Sequence, residues 1–371
     1  MSSDANISKS FIMKTAFIFA FIGCLFFTTN AQISSNVSSI LGENKKGLFE
    51  SDEILNITLR GSFHQIINDR SGEAKYYPVD LVYKGDDKFE TSIPIKVKTR
   101  GHFRREKGNC TFPPLLLAFP EANASSFFPE KSSLKLVMPC QGEDFIVHEW
   151  LVYKLYNLIT PQSFRARLVR VTLIDSKNKK MPSPFYGIIL EDEKQMATRN
   201  KMAIVKKKMR PQQTMQQPFL RMTVFEYLIG NTDWSVDYLQ NIKLIAPDSA
   251  AQPIAVPYDF DLSGIVNSPY AEPAPELEMS SVRQRRYRGY CMKDFKLFDS
   301  TISLYNDKKD EIYSLYSDCS LIDEKYKKKS IQFLDDFYSL LNNRESMQKE
   351  FSYPCKLNGT GNVIIKGLRE D

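Results

Sequence analysis

Three oxygen-bearing side chains within residues 230–261 have the types and the order that phosphoryl transfer needs. Asp233 is followed by Asn241, and Asp259 comes later at the end of an apolar run. Phosphoryl transfer needs a carboxylate that orients or deprotonates the acceptor hydroxyl, and hard oxygen ligands for the Mg²⁺ that bridges the phosphates. Protein kinases supply these groups from an Asp and an Asn of the catalytic loop and from an Asp that follows a hairpin. The order therefore predicts a phosphate–metal site or its degenerate remnant.

The same stretch departs from the pattern of ordinary protein kinases. Asp233 and Asn241 are further apart than in a kinase catalytic loop, and no His-Arg-Asp motif is present. Asp-Phe-Asp at residues 259–261 stands in place of Asp-Phe-Gly, and the first half of the chain has no Gly-x-Gly-x-x-Gly. Two glycines instead bracket a basic turn at residues 101–108. With these departures, the sequence is compatible with a catalytically active site and with an inactive one.

Each of these residues also has a structural interpretation. Asp233 is placed to cap the turn after Gly230, and Asp-Phe-Asp at a strand end is often a turn cap or a structural Ca²⁺ site. Lys135 alternates with apolar neighbours, as an ordinary solvent-facing strand residue does. Only the ordered set as a whole favours the phosphate–metal site.

Alternating apolar residues predict strands through the first half of the chain. From Ile54 onwards the strands are ILNITLRGSF, YYPVDLVYK and SIPIKVKTRG, and PPLLLAF and SSLKLVM continue the series. Apolar residues at helical spacing then predict a helix from about Glu143 to Leu158. Two more strands, RLVRVTLID and FYGIILED, follow this helix.

The pattern changes after Glu193. A basic stretch rich in Gln and Met precedes FLRMTVFEYLIG, which predicts a buried helix that ends at Gly230, a natural C-cap. IKLIA and PIAVPYDF predict a short hairpin, and the last part of the chain predicts amphipathic helices.

The order of these elements predicts the fold class. We expect an α+β chain with a bilobal kinase-like fold, in which a β-rich N-terminal lobe holds one main helix and a C-terminal lobe is rich in helices. The β-rich region would span residues 51–193, and the helical region with the metal/phosphate site residues 194–371. Other α+β proteins share this order of elements.

Several motifs together resemble the CotH kinase-like family of atypical kinases. The segment GNTDWSVDYLQNIKLIAPDSAAQPIAVPYDFD resembles the family's Asp-Trp, following Asn and strand-end Asp-x-Asp. TRGHFR at residues 99–104 resembles its Arg-Gly turn, and SLKL at 133–136 resembles the strand with the nucleotide-contacting Lys. The resemblance runs in order from about residue 54 to residue 290, and it extends to a group of uncharacterised exported bacterial proteins.

The resemblance implies a role for each residue of the acidic set. Asp233 would be the catalytic carboxylate, and Asn241 and Asp259 would hold Mg²⁺. Asp261 would be either a second metal ligand or a structural acceptor.

The resemblance also implies a binding site for ATP. Lys135 would contact the nucleotide phosphates, and Arg100 would face them. Glu149 or Glu143, on the following helix, would pair with Lys135.

The N-terminus predicts an exported protein. Lys14 precedes a short uncharged apolar run, and small residues follow up to Ala31, which is the pattern of a cleaved signal peptide at residues 1–31. An uncleaved N-terminal anchor is the alternative. Residues 32–50 predict a flexible leader, and no later stretch is long and apolar enough to span a membrane. We expect the mature chain in the periplasm, the cell envelope or outside the cell.

Five cysteines remain after removal of the signal peptide, and none lies in a Cys-x-x-Cys pair. Cys110 and Cys140 fall in the same β-rich region and are a candidate disulfide in an exported chain. Because the count is odd, at least one cysteine stays free or pairs between molecules.

Composition and motifs narrow the function to a few classes. The formal net charge of +6 is spread along the chain, and no nucleic-acid-binding module is present, so we expect no specific nucleic-acid partner. The first hypothesis is Mg²⁺-dependent transfer of a phosphoryl group from ATP to a hydroxyl of a protein or small molecule. The second is a catalytically inactive binding or envelope-structural protein, and a weaker third is a surface protein that binds anionic polymers through its basic clusters.

Overall fold

The computed structural model describes residues 47–70, 72–85, 89–120, 127–129 and 131–356, which belong to one compact unit. The predicted signal peptide and most of the predicted leader lie outside the described residues. No helix in the described ranges has the length and apolar character that crossing a membrane requires.

Seven strands from the first half of the described chain close into a barrel with the strand order β1-β2-β3-β4-β5-β7-β6. Neighbours are antiparallel except for β1 and β6, which run parallel and close the barrel with Leu55 opposite Val169. The strands are β1 (Leu55–Gly61), β2 (Tyr77–Lys84), β3 (Glu90–Thr99), β4 (Leu115–Ala118), β5 (Ser133–Val137), β6 (Ala166–Asp175) and β7 (Phe185–Leu190).

Strict alternation of apolar residues fills the barrel. Ile57 and Leu59 on β1, like Ile95 and Val97 on β3, point into one apolar core that the strands enclose. Side chains of a strand alternate between its two faces, so the residues between them face outward. On β5 this rule buries Leu134 and Leu136 inside the barrel and leaves Lys135 on its outer face.

Eight helices and a three-stranded sheet accompany the barrel in the described residues. The helices are α1 (Phe63–Asn68), α2 (Asp144–Ile159), α3 (Glu193–Arg199), α4 (Gln216–Ile229), α5 (Asp299–Asp307), α6 (Lys309–Ser317), α7 (Glu324–Leu341) and α8 (Arg344–Phe351). The sheet has the order β10-β9-β8, with β8 (Ala203–Val205), β9 (Ile242–Ala246) and β10 (Ile254–Pro257).

The predicted bilobal kinase-like fold, with a β-rich lobe that holds one main helix, is wrong. The strands form a closed barrel instead of the open sheet of such a lobe. Helix α2 does not belong to the barrel core either, because its buried residues, among them Leu151 and Leu155, pack in a second core with Leu228 of α4 and Phe337 of α7. The helix predicted for the first half therefore joins the helices of the second half.

Several local predictions are confirmed, although the first predicted strand ends at Gly61 and Phe63 begins a helix. Helix α2 lies within one residue of the predicted span, and the predicted hairpin is β9–β10. Helix α4 ends at Gly230, which has a φ of 68° and so adopts the left-handed conformation that glycine takes without steric cost.

Two disulfides hold loops of the described chain. The predicted pair Cys110–Cys140 is present, and Cys291 pairs with Cys355 near the end of the described residues. Cys319 is the free cysteine of the described part of the chain.

Candidate phosphate and metal site

The β9–β10 hairpin brings two of the predicted metal ligands to the same end. Asn241 immediately precedes β9, and Asp259 follows β10 after Tyr258. Pro257 and Ile242 are register partners, and the Tyr258 backbone N–H donates to the Asn241 carbonyl at 3.0 Å. The hairpin thus places Asn241 and Asp259 side by side although eighteen residues of sequence separate them.

Asn241 also holds the predicted catalytic residue. Its Nδ2 donates to the Asp233 carboxylate at 2.9 Å and to the Asp233 carbonyl at 2.8 Å. The Oδ1 of Asn241 accepts no hydrogen bond from the described residues and is available to a metal ion. Burial and the nearby charge of Asp259 raise the pKa of Asp233, while Arg288 and the amides of Gln240 and Asn241 oppose this shift.

Both hairpin-end residues have left-handed backbones. The φ of Asn241 is 50° and that of Asp259 is 68°. Asn and Asp adopt this conformation more readily than other non-glycine residues, and such conformations cluster at functional sites. The Asp259 backbone N–H donates to the Tyr153 hydroxyl at 3.0 Å, so helix α2 fixes the turn.

Lys135 reaches this region from the outer face of the barrel. Its Nζ lies 4.4 Å from the centre of the Tyr258 ring, and no carboxylate of the described residues lies within ion-pair distance. Burial lowers the pKa of Lys135 to about 8, helped by Arg100 and Lys243 and opposed by Asp259. Arg100, which is predicted to face the phosphates, directly follows β3. Its positive charge is one of those that lower the pKa of Lys135.

Neither predicted glutamate pairs with Lys135. A carboxylate oxygen of Glu149 lies 3.8 Å from Nη1 of Arg104, and its other oxygen has no hydrogen-bond partner among the described residues. Glu143 accepts hydrogen bonds from Arg170 and from the Tyr186 backbone N–H, the latter at 2.8 Å. Burial raises the pKa of Glu149 well above its ordinary value, with Arg104 opposing.

Asp261 lies in a network behind Asp259. Its carboxylate accepts a hydrogen bond from the Tyr270 hydroxyl at 3.0 Å and lies 3.7 Å from Arg104. Burial, followed by the charge of Asp259, raises the pKa of Asp261 to about 7. Of its two predicted roles, these contacts fit the structural acceptor.

Sequence reasoning did not single out Arg104, Tyr153 or Lys243. Arg104 belongs to the basic turn that the sequence highlighted, and it is the guanidinium between Glu149 and Asp261. Lys243 alternates with apolar residues on β9 and forms an ion pair with Glu193 at 2.8 Å. Only the folded arrangement shows that these groups meet.

The donor set fits a metal ion that arrives with phosphates. The described residues contain no group of three or more His, Cys, Asp or Glu side chains that could hold a metal ion. Mg²⁺ is commonly bound by one or two carboxylates together with substrate phosphates and water. The Asn241 Oδ1 and the Asp259 carboxylate suffice for that mode, with Lys135 close to where phosphates would lie.

Comparisons with known proteins give limited information. No protein-family model and no curated protein matches the chain. Among solved structures, the crystal structure of a Helicobacter pylori proinflammatory kinase, CtkA, is similar over 66% of this chain and 93% of that chain, at 11% identity and a TM-score of 0.37. The similar structure is that of a kinase, and the likeness does not identify the CotH family.

Proposed function

We propose that this protein is a phosphotransferase that moves the terminal phosphoryl group of ATP, with Mg²⁺, to a hydroxyl of a protein or small molecule. One observation carries the proposal. Asn241 donates to the Asp233 carboxylate at 2.9 Å and stands beside Asp259 at the end of one hairpin. An acid, a free amide oxygen and a second acid thus converge where the outward-facing Lys135 supplies positive charge.

The side chains divide the work by their chemistry. Asn241 Oδ1 and the Asp259 carboxylate would hold Mg²⁺, which neutralises charge on the phosphates when bound. Lys135, with Arg100 near it, would bind phosphate oxygens. Asp233 would accept the acceptor hydroxyl's proton while the new O–P bond forms and the bond to the leaving ADP breaks. Its raised pKa suits a group that takes up a proton.

Calorimetric titration with ATP, with and without Mg²⁺, tests the binding part. We expect Asp259→Asn to remove the Mg²⁺-dependent gain in affinity, and Lys135→Met to weaken binding about tenfold or more, because a charge-assisted contact is lost. Exposed residues of the barrel supply matched controls, Asp80→Asn and Lys96→Met, which should bind as the wild type does. A wild type that binds no Mg·ATP would refute the nucleotide proposal.

Transfer of labelled phosphate from ATP tests the catalytic part. Asp233→Asn should lose transfer to the protein itself or to a lysate while its Mg·ATP affinity stays near that of the wild type. Tight Mg·ATP binding without any transfer by the wild type would instead favour the second hypothesis, an inactive binding or envelope-structural protein.

We also propose that the protein is exported. The two disulfides of the described residues support this proposal, because disulfides persist in oxidising compartments. Mass spectrometry of the mature N-terminus tests it, with Gln32 as the expected first residue. An exported phosphotransferase meets little free ATP, so the transfer assay should include other phosphoryl donors.

A further inference from the structure

A buried arginine lies beneath the loop that carries Asp233. Arg288 is 2% exposed, and its Nη1 donates to the backbone carbonyls of Thr232 and, at 2.9 Å, Trp234. These carbonyls belong to the two residues that flank Asp233. The guanidinium carbon also lies 5.4 Å from the centre of the Trp234 ring, so the loop is held by both its backbone and its side chain.

The segment that carries Arg288 is anchored independently of this loop. Arg285 donates to the Tyr227 and Leu228 carbonyls at the end of α4, with its guanidinium carbon 3.6 Å from the Phe333 ring centre. The hydroxyls of Tyr287 and Thr223 are hydrogen bonded at 3.1 Å. The disulfide of Cys291 then fixes the far end of the segment.

The guanidinium of Arg288 is buried, so its charge is stable there only with hydrogen-bond acceptors or acidic groups close by. A buried guanidinium loses its hydration, and carbonyl acceptors and nearby acids must replace it. Burial lowers the pKa of Arg288 to about 10, and Asp233 is the first group that opposes the shift. In return, Arg288 lowers the pKa of Asp233 against the effect of burial. The two residues therefore interact electrostatically, in addition to the hydrogen bonds that Arg288 donates to the carbonyls on either side of Asp233.

We propose that Arg288 is the positioning residue of Asp233: it clamps the carbonyls on both sides of Asp233 and so keeps the Asp233 carboxylate against the Asn241 amide, aimed at the acceptor. This inference deepens the proposed function and rests on it. Small displacements of a reacting group reduce rates strongly, so loss of the clamp should act on turnover more than on nucleotide binding.

Steady-state kinetics provide the first test. Arg288→Lys keeps the charge but replaces the planar guanidinium, whose Nη1 donates to both carbonyls, with a shorter side chain and a differently directed ammonium group. We expect kcat to fall about 10²-fold, with the KM for Mg·ATP within about threefold of the wild type. Arg286→Lys is the matched control, because Arg286 lies on the same segment and contacts the Tyr353 ring instead of the loop. Equal losses in kcat for both variants would overturn the proposal.

A double-mutant cycle separates positioning from general support of the fold. In the Asp233→Asn background, Arg288→Lys should cause no further loss of the residual turnover, measured at high enzyme concentration, because the residue that Arg288 positions is already inactive. An equal loss in both backgrounds means that Arg288 supports the fold alone, and the proposal fails.

Hydrogen exchange tests the clamp without relying on catalysis, so it stays informative if the protein transfers no phosphate. In Arg288→Lys, amides of residues 231–241 should exchange about tenfold faster or more, while those of α4 stay unchanged. Unchanged exchange in 231–241, or equal acceleration in α4, would overturn the clamp. If this variant does not fold, hydrogen exchange of the wild-type protein tests the clamp instead. The Asp233 and Ser235 amides must then exchange at least about 10²-fold more slowly than those of the exposed turn at 248–250, and equal rates count against the clamp.

Discussion

At the scale of single residues, the surroundings of Lys135 are unusual for a lysine. The ammonium group lies over the Tyr258 ring and near Arg100 and Lys243, with no carboxylate of the described residues within ion-pair distance. Lys243, over the same ring, has Glu193 as its partner. Asp259 acts on this ammonium group from beyond ion-pair distance, so room remains for a contacting anion, and a phosphate has the charge and the acceptor oxygens for that position.

The lowered pKa of Lys135 makes nucleotide binding depend on pH. Bound phosphates favour the charged form of Lys135. Their binding therefore raises its pKa above the value of about 8 that it has in the protein without nucleotide. We therefore expect proton uptake on binding of Mg·ATP near pH 8, and an affinity that falls as the pH rises from about 7 to 9. Calorimetry at pH 8 in two buffers of different ionisation enthalpy measures the uptake.

Arginine at the same position supplies the control for this prediction. Lys135→Arg should bind without this proton uptake, because a guanidinium stays charged throughout the range. Lys96→Arg, on the exposed face of β3, should leave the uptake unchanged. Heats of binding that are identical in both buffers for the wild type would contradict the prediction.

Residue types, their order and the family resemblance selected Asp233, Asn241 and Asp259, and the β9–β10 hairpin brings Asn241 and Asp259 together. Their roles stay predictions. The partner of Glu149 was not predictable, because Arg104 comes from a loop of the barrel that reaches Glu149 only in the folded molecule. No local pattern encodes such a contact.

At the scale of elements, α2 joins the barrel-forming half of the chain to its helical half. Tyr153 of α2 accepts from the Asp259 backbone, and Glu149 lies one turn earlier on the same helix. The residue before Glu149, His148, stacks on Tyr326 of α7 with ring centres 3.4 Å apart. Movement of α2 would therefore displace both the Asp259 turn and helix α7.

The stacked histidine should make the protein sensitive to acid. Burial lowers the pKa of His148 to about 4, against a hydrogen bond with the Val266 backbone and the charge of Asp323. Between about pH 6.5 and pH 4 the unfolded state binds more protons than the folded state, so the free energy of unfolding falls as the pH falls. The loss from this residue is at most about 3 kcal/mol. Denaturant titrations at several pH values measure it.

Replacement of the histidine isolates its contribution. His148→Phe keeps a ring against Tyr326 and removes the titrating group, so its free energy of unfolding should fall less between pH 6.5 and pH 4 than that of the wild type. Gln65→Phe, at an exposed position of α1, adds a ring without removing a titrating group and should retain the wild-type pH dependence. Parallel pH profiles for wild type and His148→Phe would show that His148 is not responsible.

Most helices and strands were predictable from the sequence, but their arrangement in the fold was not. Alternation and helical spacing are local signals, and they located α2 and the β9–β10 hairpin closely. The short strand β8 was missed, since three residues in a basic stretch carry no period. The barrel was missed because its closure depends on the pairing of Leu55 with Val169, which no local pattern specifies.

At the scale of the whole molecule, covalent links fix loops that the cores hold less tightly. Cys110–Cys140 ties the loop between β3 and β4 to the segment between β5 and α2. Cys291–Cys355 ties the Arg288 segment to the end of the described chain. The second link closes the longer loop, with a sequence separation of 64 against 30.

Removal of the longer link should lower stability markedly. In the chain-entropy description, cross-linking residues this far apart reduces the freedom of the unfolded chain by about 4 kcal/mol. Replacement of both Cys291 and Cys355 by Ser should lower the free energy of unfolding by about that amount in denaturant titrations. Cys319→Ser is the control, and it should have little effect because Cys319 forms no disulfide. A double variant as stable as the control would contradict the prediction.

The parallel seam between β1 and β6 has a consequence for how the chain acquires its shape. β1 pairs with β2, the next strand along the chain, but its other edge stays open until Ala166–Asp175 has been synthesised. Contacts between distant parts of a chain form slowly, and an open strand edge is a template for pairing with other chains. A fragment that ends with α2 would carry five strands and no closing strand. During synthesis, therefore, the partly made chain passes through a stage prone to aggregation that the finished barrel no longer has.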